Sequence, residues 1–177
     1  RSTLFPYTTL FRSTNRVIMV LSLAGCGDDK GATSKEDKIV NQDIGGAEFK
    51  LEEKGWEDKT TSKNYSFTSD DLNYDLSVSV TELSSNFTKN KYLDIILGTY
   101  RKKKNTSYKE YKEKNVKIND NKAVKYSYSF ADYSFYHGWI VFHDGKAYRF
   151  EFRSSDKKLD VDAQQKIVET ISFEKEK

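Results

Sequence analysis

Tyr136-His137-Gly138-Trp139-Ile140-Val141-Phe142-His143-Asp144-Gly145-Lys146-Ala147-Tyr148-Arg149-Phe150-Glu151-Phe152-Arg153 is the stretch that decides the fold. Up to His143 it is apolar on both faces, with Ile140 and Phe142 on one side and Trp139 and Val141 on the other. A strand of that kind is central in its sheet and covered twice. Asp144-Gly145 then signals a hairpin, because these residues accept the positive φ that a two-residue turn demands. Beyond the turn, Tyr148, Phe150 and Phe152 alternate with Arg149, Glu151 and Arg153. That is the period of a second strand.

The pattern extends upstream. Val124, Tyr126, Tyr128 and Phe130 alternate with Lys125, Ser127 and Ser129, after a turn at Asn119-Asp120-Asn121. Tyr108, Tyr111, Val116 and Ile118 lead into that turn. Further back the period changes. Tyr92, Ile95, Ile96, Thr99 and Tyr100 fall at helical spacing, with Thr88 or Asn90 as N-cap and Arg101-Lys102-Lys103-Lys104 at the end. Earlier strands are expected around Phe49 and Leu51, Tyr65 and Phe67, and Tyr74 to Val80, with a break at Gly55-Trp56. A closing helix carries Ala163, Ile167, Val168 and Ile171 on one face, capped by Asp160 or Asp162. Tyr128, Phe150 and Ile167 are expected to share one core between sheet and closing helix. The sum is an α+β domain, an antiparallel β-sheet packed against helices.

Composition agrees with a folded chain. With 32% charged residues and a mean hydropathy of −0.80, the 177 residues look close to disordered. The 14% aromatic content argues the opposite, because disordered chains are poor in aromatics. The net charge is +3, but Arg1, Arg12 and Arg16 are the only charges ahead of Cys26. The chain from Cys26 onward is balanced in charge, which gives no case for a nucleic-acid partner.

The N-terminal part carries address information. Residues 3–13 resemble the conceptual translation of a sequencing adapter, so residues 1–13 are expected to be an artefact outside the fold. Residues 14–25 read as a truncated signal peptide. Its run Val17 to Leu23 is too short for a bilayer, which takes about 20 residues. Leu23-Ala24-Gly25-Cys26 resembles a bacterial lipobox. The resemblance implies cleavage between Gly25 and Cys26, lipid on the Cys26 thiol, and an extracytoplasmic protein anchored to the cell membrane. Cys26 is the one cysteine, so no internal disulfide forms. Residues 26–46 read as a flexible tether with a reach of about 25 Å, ending at Gly45-Gly46. The folded domain is expected over 47–174.

Three features in order are similar to the PsbP-like fold, an α/β/α sandwich shared by extrinsic photosystem II proteins, DcrB-type proteins and many small bacterial lipoproteins. They are the strand ending in Gly55-Trp56, the aromatic hairpin turning at Asp144-Gly145, and the helix ending in Ile171-Ser172-Phe173. Lys54 stands where proline is expected before Gly-Trp. The resemblance implies a binding or assembly-support role at the cell envelope.

The residues themselves name no reaction. His137 and His143 lie six apart on one strand face, about 20 Å from each other, too far for one metal. Each is expected at a strand end or on the surface. The carboxylates Glu52-Glu53, Asp70-Asp71, Asp156, Asp160 and Asp162 sit in polar turns and caps, where nothing raises a pKa for acid work. There is no nucleophile elbow and no glycine-rich phosphate loop. The expectation is therefore no catalytic site, metal or cofactor, with the membrane and an envelope protein as partners. The alternative is an envelope hydrolase with a carboxylate site. Tyr126, Tyr128, Phe130, Tyr133, Phe135, Tyr136 and Trp139 form the densest aromatic cluster. Within it Tyr133 and Phe135 fall in an expected loop and are the candidate contact residues.

Overall fold

The computed structural model describes residues 39–52, 55–61, 64–69, 73–131, 134–155 and 160–173. The expectations for 1–38, Cys26 included, lie outside them. Along the chain run β1 (Ile39–Asp43), β2 (Ala47–Glu52), β3 (Glu57–Asp58), β4 (Tyr65–Ser69), β5 (Tyr74–Glu82), α1 (Lys89–Lys102), β6 (Tyr108–Ile118), β7 (Asn121–Phe130), β8 (Ser134–His143), β9 (Lys146–Ser154), α2 (Val161–Glu169) and β10 (Ser172–Phe173). The large sheet has seven strands in the order β3-β4-β5-β9-β8-β7-β6, and its neighbours pair antiparallel. A small sheet has the order β1-β2-β10.

The β8–β9 hairpin lies at the centre, as its double apolar pattern requires. Its turn residues Asp144 and Gly145 have φ of 46° and 68°, and the β6–β7 turn repeats this with Asn119 and Asp120 at 46° and 65°. These are the positive-φ pairs of type I′ turns, which match the twist of the strands they join. Side chains then alternate between two cores. On one face Leu76, Val78, Trp139, Val141, Tyr148, Phe150 and Phe152 pack with Phe49 and Leu51 of the small sheet and with Val168 of α2. On the other, Val124, Tyr126, Tyr128 and Ile140 meet Tyr92 and Leu97 of α1.

Four expectations change. Residues 39–46 are part of the fold rather than tether, because Ile39–Asp43 pair with β2 and Ile44 is fully buried. Gly45 and Gly46 form the tight connection, with the Gly45 N–H donating to Asp43 Oδ1 at 2.9 Å. Tyr128 does not share a core with Phe150 and Ile167. Its even position on β7 turns it to the α1 side. The buried stripe of α1 is Tyr92 and Leu97, flanked by Leu93, Ile96 and Tyr100, while Ile95 is 59% exposed. Finally, His137 is no surface residue. It is half-buried under α2, with Nδ1 3.1 Å from Gln164 Oε1.

Both helices begin as the sequence indicates. Thr88 caps α1 by accepting from the Lys91 N–H, and Asp160 caps α2 by accepting from the Ala163 N–H. A cap side chain satisfies a backbone donor that the helix itself cannot. Among the described residues no helix is long and apolar enough to cross a membrane.

Candidate binding face

Strand register places the polar and aromatic side chains of the α1 face in lateral rows. Asp75 of β5 is opposite Arg153 of β9, Arg153 is opposite Tyr136 of β8, and Tyr136 is opposite Tyr128 of β7. The next row runs Ser77, Glu151, Gly138, Tyr126. Asp75, Ser77 and Arg153 are exposed, so this part of the face meets solvent.

The tyrosines form a stack. Tyr128 lies nearly parallel to Tyr136 at 4.5 Å and to Tyr126 at 6.4 Å. Tyr100 of α1 sits 4.3 Å from Tyr128, and their hydroxyls are 3.2 Å apart. Tyr108 completes the group against Tyr100, Tyr128 and Phe130, the last of which is 43% exposed. Burial pushes the Tyr126 and Tyr128 hydroxyls well above the ordinary tyrosine range, so both stay protonated donors.

A charged triad borders the stack. The Tyr126 hydroxyl donates to Glu151 Oε2 at 2.7 Å and accepts from Arg149 Nε at 2.9 Å, while Arg149 Nη2 reaches Glu151 Oε2 at 2.5 Å. Burial works against the Arg149 charge, but Tyr126 and Glu151 outweigh it and hold the guanidinium protonated. Gly138 makes this arrangement possible. A Cβ there would lie 2.1 Å from Tyr126 Cζ, so only glycine lets the ring lie across the strand.

At the end of the same face is an open hollow of about 280 Å³. Thr68, Asn73, Asp75, Arg153 and Ser155 line it together with the buried Ser69, Tyr74, Ser134 and Ser154. Asn73 Nδ2 donates to Ser155 Oγ at 3.1 Å, tying the start of β5 to the end of β9.

This architecture resembles solved structures. Cyanobacterial PsbP (CyanoP) from Synechocystis sp. PCC 6803, known in solution, matches with a TM-score of 0.54 at 14% identity, over 86% of this chain and 99% of that one. The fold is PsbP-like. A crystal structure of a Bacteroides thetaiotaomicron protein matches with a TM-score of 0.50 at 15% identity, over 74% of this chain and 46% of that chain. The chain thus spans less than half of that second protein. No protein-family model matches the sequence, and no curated protein does.

On this PsbP-like frame the two candidate contact residues part company. Phe135 is half-buried on β8 rather than in a loop, because the strand already begins at Ser134. Its alternation with Tyr136 sets it on the α2 side. Tyr133 lies outside the described residues. Ser134, between them, lines the hollow. The Arg149–Glu151–Tyr126 triad and the Asp75–Arg153 pair escaped the sequence reading. The triad lies within reach of it, because charged residues at every second position of a β9 strand facing tyrosines must meet them if the strands are neighbours; the Asp75–Arg153 juxtaposition depends on register. The histidines share a face as expected. His143 stacks on Phe173 at 3.8 Å and its Nδ1 is 2.8 Å from Asn121 Oδ1, so it is used to fasten β10 and the β6–β7 turn.

Proposed function

We propose that this chain is a membrane-anchored, extracytoplasmic lipoprotein that works as a non-catalytic binding or assembly-support module. The observation that carries the reading is the row of tyrosines and charges on the α1 face of the PsbP-like sheet, which opens to solvent at Asp75, Ser77 and Arg153. Aromatic rings with polar tips beside a preset ion pair suit recognition, since they offer contact area at low entropic cost. The anchor rests on Leu23-Ala24-Gly25-Cys26, with lipid on Cys26 and cleavage after Gly25. Two or more acyl chains at one cysteine give stable membrane attachment.

Tyr133 and Phe135 stay in this reading as contact residues at the end of β8, beside Ser134 of the hollow, with the half-buried Phe135 joining from the α2 side rather than from the tyrosine row. The test joins fractionation to partner recovery. Behind a complete signal peptide, Cys26→Ala moves the protein from the membrane pellet to the soluble fraction. Tyr133→Ala with Phe135→Ala loses the envelope partner recovered by the parent, and a melt lowered as far as that of a core variant would place these rings in the core instead. A variant that stays in the pellet defeats the anchor, and turnover of an envelope substrate that disappears with one carboxylate defeats the non-catalytic role.

A further inference from the structure

We propose that the hollow beside β5 and β9 recognises a small zwitterion, with the Asp75 carboxylate taking an ammonium group and the Arg153 guanidinium taking the anion. This deepens the binding-module reading above and rests on it.

Asp75 and Arg153 are directly opposite each other in the β5–β9 register. Side chains so placed leave the same face with their Cβ atoms about 4.5–5.5 Å apart. Opposite charges at that spacing can close on one another, yet among the described residues no ion pair joins these two. The hydrogen-bond partner of Asp75 is the Thr68 hydroxyl, at 3.3 Å. A carboxylate offers about four lone-pair sites and a guanidinium five donors, so both groups keep most of their capacity at the mouth of the hollow.

The other lining groups narrow the class of ligand. Among the described residues they are mainly hydroxyl and amide side chains, with Asp75 and Arg153 the charged ones. A simple anion would face Asp75 at close range, and a simple cation would face Arg153. A molecule carrying both charges a few bonds apart satisfies both sites at once. The volume, near 280 Å³, falls just below the roughly 300–1,000 Å³ usual for ligand pockets, so only a small ligand fits. That suits an α-amino acid or an ethanolamine phosphate group. The two share their ammonium–anion chemistry but come from different sources, a free solute and a lipid headgroup.

The experiment is an amide chemical-shift titration of the full chain with four probes: glycine, phosphoethanolamine, inorganic phosphate and ethylamine. At least one zwitterion is expected to shift the amides of Thr68, Asp75, Ser134 and Ser154, and to bind about tenfold or more tightly than phosphate or ethylamine. Asp75→Asn should erase the advantage over phosphate, and Arg153→Gln the advantage over ethylamine. Both side chains are exposed, so both variants keep the parent's melt. A response to glycine alone assigns a free amino acid; a response to phosphoethanolamine alone assigns a headgroup. Phosphate or ethylamine binding as well as either zwitterion overturns the proposal, as does silence of these amides with every probe. Should the zwitterions fail while envelope partner recovery persists, the pocket assignment falls and the binding-module reading stands.

Discussion

The two faces of the large sheet are built from the same strands and differ in where their ring hydroxyls go. On the α2 face the rings meet edge to face and carry few hydroxyls. Phe49 meets Phe67 at 5.6 Å and 83°, Phe49 meets Phe150 at 5.2 Å and 90°, and Trp139 meets Phe152 at 5.9 Å and 87°. On the α1 face Phe87 and Phe142 meet Tyr92 edge to face, but Tyr126, Tyr128 and Tyr136 lie nearly parallel, and the hydroxyls of Tyr126 and Tyr128 end at the Arg149–Glu151 pair and at another tyrosine. The first arrangement maximises dry contact. The second buries hydroxyls under α1 and gives each an internal partner, which is what a polar tip inside a core needs. Alternation along β7, β8 and β9 thus separates a dry core from a hydrogen-bonded one, one residue at a time.

The most severe way to break this comparison is Phe150→Ala. Phe150 is fully buried and touches both the small sheet and the large one. Its loss should cost about 3–5 kcal/mol in denaturant melts, as large cavities in cores do. Tyr136→Ala, which removes a half-buried ring on the other face, should cost clearly less. Equal losses would mean that the α1 face is as much a stability core as the α2 face.

A sharper probe is Gly138→Ala. The added methyl would sit 2.1 Å from Tyr126 Cζ and must push the ring off its bonds to Glu151 and Arg149. A strained insertion of this kind costs about 1–3 kcal/mol. Combined with Tyr126→Ser, which clears the space, the total should fall short of the sum of the single variants. Strict additivity would show that the ring swings aside freely, and that the triad is no fixed element of the site.

The same two faces explain how much of the molecule is legible in the sequence. The β8–β9 hairpin can be read because its residues are apolar on both sides and its turn is Asp-Gly, both strictly local signals. The α+β class and the PsbP-like order extend from it. Alternation cannot tell which of two covered faces a ring belongs to, and for that reason it groups Tyr128 with Phe150. The face is decided by strand pairing, a long-range fact. The stripe of α1 differs for a similar reason: Ile95 is apolar, but Leu97 and Tyr92 are the positions the sheet covers. Strand β1 reads as tether because Ile39-Val40-Asn41-Gln42-Asp43 is mostly polar in its second half. It holds by backbone pairing with β2, which leaves little trace in side-chain pattern. The hollow depends on Asp75 and Arg153 standing opposite each other, and only register reveals that.

The smallest expected effect comes from a histidine set into the α2 face with a lowered pKa. His137 lies between β8 and α2, facing Gln164 of α2 and near Lys125 of β7. Burial chiefly lowers its pKa below the ordinary 6.5, Lys125 adds to this, and the bond to Gln164 opposes it. The folded state therefore prefers the neutral ring. Above about 6.5 the ring is neutral in both folded and unfolded chains, and its contribution to stability is fully present. As pH falls from there towards the lower folded value, the unfolded chain takes up a proton that the folded one refuses, and stability declines. The slope cannot exceed about 1.4 kcal/mol per pH unit, the limit for one proton. Urea melts from about pH 8 down to about pH 5.5 should thus show a steeper loss for the parent than for His137→Gln, which has nothing to titrate there. Parallel curves would mean that the ring titrates alike in both states. In that case the α2 face is wetter at β8 than its edge-to-face rings imply, and the contrast between the two faces would need to be redrawn at that strand.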